Sequence, residues 1–169
     1  MNACARILRS WHDARQILAM SIPDLTQRPP RSARVKIGGY VILPRILDVG
    51  RAYLAGKAGE YNYGCPLDQE FFSFTGLSAE DLLDLLKVGK SDTEILAWIR
   101  EHSNRTGLEI MTWSKYQAQR SPSDAERRSF YNQSVQQIAP HRDDLITWFD
   151  LLYLDDYASF AGKSSLPLH

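Results

Sequence analysis

The stretch that most limits what this chain can fold into is residues 78–103, "SAEDLLDLLKVGKSDTEILAWIREHS". Ser78 is followed three residues later by Asp81, then by an apolar run that stops at Gly89, a variant of the helix capping box with Asp in place of Glu or Gln. Ser91 and Glu94 repeat the device in its strict form. After them Ile95, Trp98, Ile99 and His102 recur on one face of a 3.6-residue period. Two capped segments of helical period, joined by a short glycine-bearing turn, cannot be laid out as strands, whose side chains alternate. The expectation is an all-α fold.

The same reading extends in both directions. Leu43, Ile46, Leu47, Gly50, Tyr53 and Leu54 recur at steps of three and four, predicting a helix over about residues 43–55 with Pro44 in its first turn and Gly56 and Gly59 as stops. "LDQEFFSFTG" reads as a short helix closed by Gly76, and "TGLEIMTWSKYQAQ" as another. "SPSDAERRSFYNQSVQQIAP" opens at Pro122 and Ser123 ahead of Glu126 and stops before Pro140. "RDDLITWFDLLYLDD" places Leu145, Trp148, Phe149 and Leu152 on an apolar stripe, with its acids at the helix end. No fixed-period repeat is present. These segments give an irregular single-domain bundle of six to seven helices over residues 23–158, with a loose extension over 1–22 and a loose tail over 159–169. "VKIGGYVIL" is the alternative to pure helix: its two glycines allow a short β piece near residues 36–42, and Tyr61–Tyr63 allow another near 60–64.

Composition narrows the class further. The chain has 169 residues, 44% of them apolar and 24% charged, far from the profile of disorder. A domain of this length buries roughly 70% of its unfolded surface. Apolar runs stop at four or five residues, against the roughly 20 a bilayer requires, so no membrane span is expected. Residues 1–22 carry Arg6, Arg9 and Arg15 with one acid, Asp13, and no continuous apolar stretch, which argues against a secretory signal. An organelle transit peptide and an irregular extension both suit them. Cys4 and Cys65 are far apart, with no C-x-x-C, which favours a reducing cytoplasm over a disulfide or zinc framework.

The net charge of zero hides an asymmetry. Residues 1–60 hold ten Lys and Arg against four Asp and Glu, a balance of +6, and residues 61–169 hold ten against sixteen, a balance of −6. The cations concentrate in "RPPRSARVKIGGYVILPRILDVGRAYLAGK". Arg28, Arg31 and Arg34 fall every third residue beside Pro29 and Pro30, the period of polyproline II, so their guanidiniums can line one edge. With Lys36, Arg45 and Arg51 they form the candidate anion-binding set. No phosphate-loop or dinucleotide spacing accompanies them. The bland alternative is that they pair internally, with Asp150, Asp155 and Asp156 as the partners, expected at the C-terminal end of the last helix where the macrodipole disfavours anions. Those three acids are also the only candidate metal ligands, although their spacing matches no known metal loop, and no cofactor is expected.

Three residues are candidates for chemistry. Asp48 shares a helix face with Arg45 and Arg51, which as a bland reading is an exposed ion-pair ladder opposite the apolar stripe. Tyr63 and Cys65 lie in "EYNYGCP", with Cys65 at the start of a helix where a thiolate is favoured, though a lone cysteine there is commonly a small buried hydrophobe. His102 reads as a helix-end histidine. Trp98, Trp113 and Trp148 read as core. Nucleic acid is disfavoured by the short basic strip and a pI near 6.9.

The segment "DLTQRPPRSARVKIGGYVILPRILDVGRAYLAGKAGEYNYGCPLDQEF", together with "EILAWI" and "TWFDLLYLDD", resembles an uncharacterised bacterial family, a domain of unknown function, over about residues 24–157. The resemblance implies no activity, substrate or cofactor. The residues themselves point to a non-catalytic helical domain that binds a protein partner or a small anionic ligand through the Arg28–Cys65 surface. The alternative is a small enzyme in which the arginines hold an anionic substrate and Asp48, Tyr63 or Cys65 supplies the chemistry.

Overall fold

The computed structural model describes residues 22–161, and these form seven helices and no strand. In chain order they are α1 Leu43–Leu54, α2 Pro66–Thr75, α3 Ala79–Lys87, α4 Asp92–His102, α5 Gly107–Gln119, α6 Ala125–Ile138 and α7 Trp148–Phe160. None of them is long and apolar enough to cross a membrane. Apart from Ile22, the extension expected over residues 1–22, with Cys4, lies outside the described residues; of the tail expected over 159–169, Ser159 and Phe160 belong to the last turn of α7, and the residues beyond 161 lie outside the described ones.

Most of these helices start on a side chain. Ser78, Ser91, Thr106, Asp124 and Thr147 each accept the amide of the residue three positions on, covering one of the orphan donors at a helix start. Ser91, Thr106 and Thr147 complete the box with a bond returned from Glu94, Glu109 and Asp150. The Ser78 cap is made without a return bond from Asp81. α6 begins on Asp124 and not, as expected, at Pro122 and Ser123, because it is the Asp124 carboxylate that meets the Arg127 amide.

Neither expected β piece forms among the described residues. Gly38 and Gly39 take φ of 60° and 91°, which turns the chain so tightly that Ile37 and Tyr40 bond only to each other, as an isolated antiparallel bridge. The turn also seats the Leu96 side chain where a Gly38 Cβ would stand. Tyr61–Tyr63 is irregular, because its tyrosines reach side-chain and carbonyl partners instead of a neighbouring strand.

α1 is the centre of the molecule. Leu43, Ile46 and Leu47 pack with Tyr40, Val41, Phe71, Phe72, Leu82, Ile95, Ile99 and Phe149 in the main core, while Val49 and Ala52 pack with Leu25 in a smaller cluster. α1 is therefore enclosed on nearly all sides. This overturns the exposed-ladder expectation for Arg45, which is only 7% exposed. Ile42, just before the helix, sits at φ 63°, a left-handed conformation that costs a β-branched residue on the order of 1–2 kcal/mol. Complete burial of its side chain and a 2.8 Å bond from its amide to the Ala33 carbonyl hold it there. A third cluster, Tyr131, Val135 and Leu154, joins α6 to α7 away from the main core.

Candidate functional site

The four arginines of residues 31–51 are engaged in pairs within the fold. Arg31 clamps Asp48 with Nε and Nη2 at 2.9 and 2.8 Å and reaches Asp92 with Nη1 at 2.8 Å. Arg51 meets the other oxygen of Asp92 at 2.7 Å. Burial pushes the Asp92 carboxyl up, but the hydrogen bonds from Arg31 and Arg51 outweigh it and hold the group below the ordinary carboxylate value. Arg34 donates to Asp150 at 2.7 Å, to Thr147 Oγ1 and to the Ala118 carbonyl, with its guanidinium 5.8 Å from the centre of the Phe149 ring. Arg28 and Lys36 are exposed and make no ion pair among the described residues.

Arg45 has the most enclosed partner. Its guanidinium forks onto Asp156 at 2.7 and 2.9 Å, the Tyr61 hydroxyl donates to the same carboxylate at 2.8 Å, and the Tyr61 ring lies beside the guanidinium at 5.3 Å. The three acids expected at the end of the last helix do not sit there. Because Thr147 and Asp150 cap the start of α7, Asp150 falls in its first turn and Asp155 and Asp156 in its middle. They also separate in space: Asp150 goes to Thr147 and Arg34, Asp156 to Arg45, and Asp155 to an exposed wall. No group of three His, Cys, Asp or Glu among the described residues is placed to hold a metal ion.

The candidates for chemistry are likewise dispersed. Asp48 is clamped by Arg31. The Tyr63 hydroxyl donates to the Ala79 carbonyl at 2.8 Å, and burial, then the charges of Asp68 and Glu80, push its phenol up. Cys65 stands at the start of α2, but burial and then the neighbouring Asp68 push its thiol up, away from the thiolate a nucleophile requires. Asp68, which sequence reasoning passed over, is 5% exposed and accepts the amides of Gly64 and Cys65 at 2.9 and 3.3 Å. Burial raises it to about 6, against the pull of those hydrogen bonds and of Arg45.

A cleft of about 790 Å³ opens between α2, the end of α5, α6 and α7. Leu67, Trp148, Leu151 and Leu152 give it an apolar floor, and Phe130 and Ile138 an apolar wall. Charge enters through Glu70, Arg120, Arg127 and Asp155. Arg120 pairs with Glu70 at 2.7 Å, yet its Nε is buried without an acceptor. Arg127 is 65% exposed at its side chain and pairs with Asp124 at 3.1 Å. Of the sequence candidates only Cys65 and Asp155 reach this cleft. The signal for the others was in α6: Arg127, Phe130, Ser134, Gln137 and Ile138 form one helical face distinct from the Tyr131–Val135 face that packs on α7. A smaller hollow of about 320 Å³ is lined by Tyr53, Tyr63, Glu80 and their neighbours. Tyr63 lines this hollow, Cys65 lines the cleft, and Asp48 lines neither.

Fold and site together define an irregular all-helical domain whose basic segment is mostly paired internally and whose helices leave a large side cleft. Residues 27–158 match the family described as "Domain of unknown function (DUF5069)", and the chain belongs to that family. No curated protein matches it in sequence.

Proposed function

We propose that this is a non-catalytic binding domain of the cytoplasm, comprising residues 23–158, whose ligand occupies the α2–α5–α6–α7 cleft. The Arg28–Cys65 surface favoured by the sequence is mostly engaged in internal pairs, so the binding role moves to the cleft, and of that surface only the edge at Cys65 takes part. A volume near 790 Å³ is within the range of sites for small organic molecules, roughly 300–1,000 Å³. Its apolar floor suits a hydrocarbon body, and Arg127 at the rim suits an anionic head. The observation that carries the reading is the meeting in one cleft of an apolar floor with two arginines, Arg120 and Arg127, whose guanidiniums suit a carboxylate or phosphate. The enzyme alternative loses its footing because Asp48, Tyr63 and Cys65 share no hollow. Tryptophan fluorescence and thermal shift against decanoate and octyl phosphate, below their micelle concentrations, test the reading. Binding at a hundredfold excess over Kd adds about 2.7 kcal/mol of stability. Phe130→Asp, at a position 60% exposed, abolishes the shift without unfolding the domain. Shifts that survive Phe130→Asp, or no shift from either compound, refute the site.

A further inference from the structure

The smaller hollow has the opposite chemistry to the cleft. Its lining is Tyr53 from the end of α1, Asn62, Tyr63 and Gly64 from the following loop, Gln69 from α2, and Ala79, Glu80 and Leu83 from α3. No lysine or arginine contributes to it, and seven of its eight lining residues come from the acidic part of the sequence, residues 61–169. The rings of Tyr53 and Tyr63 lie nearly parallel, 22° apart with centroids at 6.4 Å, and so form one continuous aromatic wall. At that separation nothing fits between them, so a ligand rests against the wall.

Tyr63 is fixed before any ligand arrives. Its hydroxyl is tied to the Ala79 carbonyl, its ring meets Phe72 edge-on at 6.4 Å, and its other edge fills the notch left by Gly50, where an added Cβ would stand 3.0 Å from Cε2. Glu80, in the same lining, is exposed and forms no ion pair among the described residues. The amide nitrogens of Asn62 and Gln69 donate to the carbonyls of Glu60 and Gly64, which leaves their oxygens to accept. The buried Asp68 adds negative potential from behind, felt at the Tyr63 phenol together with that of Glu80. The lining side chains therefore supply a carboxylate, two amide oxygens and two phenol rings.

We propose that the Tyr53–Tyr63–Glu80 hollow is a binding site for a small organic cation, an alkylammonium or guanidinium group. Two interactions recognise it: attraction to the aromatic faces, of the kind that selects quaternary ammonium ligands, and the charge of Glu80. About 320 Å³ accommodates a head group with a short chain, whether it belongs to a free amine or to a lysine or arginine side chain of another protein.

The test is amide chemical-shift mapping on the full chain with choline, with agmatine, and with blocked lysine and arginine amides. The expected result is saturable shifts centred on Asn62, Gly64, Gln69 and Glu80. Affinity falls about tenfold, equivalent to 1.4 kcal/mol, in Glu80→Gln and again in Tyr53→Leu. Both positions are exposed, so both variants fold, and their melting temperatures verify it. Dimethylbutanol, the uncharged isostere of choline, gives no shift at equal concentration. Preference for choline and agmatine assigns the site to free amines, and preference for the blocked amides assigns it to side chains. Equal binding of dimethylbutanol, unchanged affinity in Glu80→Gln, or shifts mapping elsewhere overturns the proposal. A result here does not depend on the cleft, because Phe130→Asp leaves this site intact.

Discussion

At the scale of single residues, the Arg45–Asp156 pair carries the largest electrostatic stakes. Removing water from two ions costs several kcal/mol each, and the fork geometry with the Tyr61 hydroxyl is what offsets it. The pair is therefore a liability when broken and close to dispensable when replaced as a unit. Asp156→Ala is expected to lower stability by about 3–5 kcal/mol in urea denaturation, and added salt does not restore the loss, since a buried charge is screened little. Arg45→Met with Asp156→Leu recovers most of it. Asp155, one residue away and exposed, behaves differently: Asp155→Asn stays within about 0.5 kcal/mol of the parent. Equal losses from Asp155→Asn and Asp156→Ala would show that negative charge along this stretch of α7, and not the pair, is at stake. Neighbours in sequence thus have unrelated roles. Charge counting could pair the two halves of the chain but could not choose between these aspartates, because the choice depends on which face of α7 meets α1.

At the scale of elements, what was legible was whatever is written locally. Ser91 with Glu94 predicted the start of α4 because both partners of the box lie within four residues. The start of α7 was missed although Thr147 and Asp150 form the same box, since the acids at residues 155 and 156 read as a helix end and α7 runs on to Phe160. The apolar stripe of α1 was legible, but its burial on the opposite side was not, because that depends on Tyr61 and α7 arriving from distant parts of the chain. The cleft was illegible for the same reason: its walls come from four helices. The α7 cap also does more than the α4 cap. Thr147 Oγ1 accepts from Arg34 as well as from the Asp150 amide, so one hydroxyl ties the helix start to the lead-in before α1. Ser91→Ala is expected to cost about 1 kcal/mol and Thr147→Ala about 2 kcal/mol, read from urea midpoints. Indistinguishable losses would mean that the Arg34 contact contributes nothing.

At the scale of the whole molecule, the carboxylates whose titration the fold shifts fall into two opposed groups, and the shape of stability against pH follows. Asp92 and Asp150 are held below their ordinary values against the opposing effect of burial, by Arg31 and Arg51 in one case and by Thr147, Ile146 and Arg34 in the other. Glu94 lies at about 2, held there by the Ser91 amide, then by Lys90 and the Ser91 hydroxyl. Such groups stabilise the fold above their unfolded values near 4, and the contribution is lost as pH falls through the folded ones. Asp68 runs the other way. Its folded value of about 6 lies above the ordinary 3.8, so between those limits the folded state keeps a proton that the unfolded chain has released. Stability from this group is present below about 4 and declines as pH rises to 6, by on the order of 3 kcal/mol at most. Asp155, raised by burial and then by Asp156, adds to the decline. The two groups together place maximal stability near pH 4–5, with a fall toward pH 6 and a plateau above it, where many domains are still gaining. Urea midpoints from pH 4 to 8 measure this directly. Asp68→Asn retains an oxygen to accept the Gly64 amide but cannot ionise, so it removes most of the decline and raises stability at pH 7. A parent protein whose stability climbs steadily from pH 4 to 7, or an Asp68→Asn variant with the parent's slope, would show that the Asp68 carboxyl ionises in the fold as freely as it does in water.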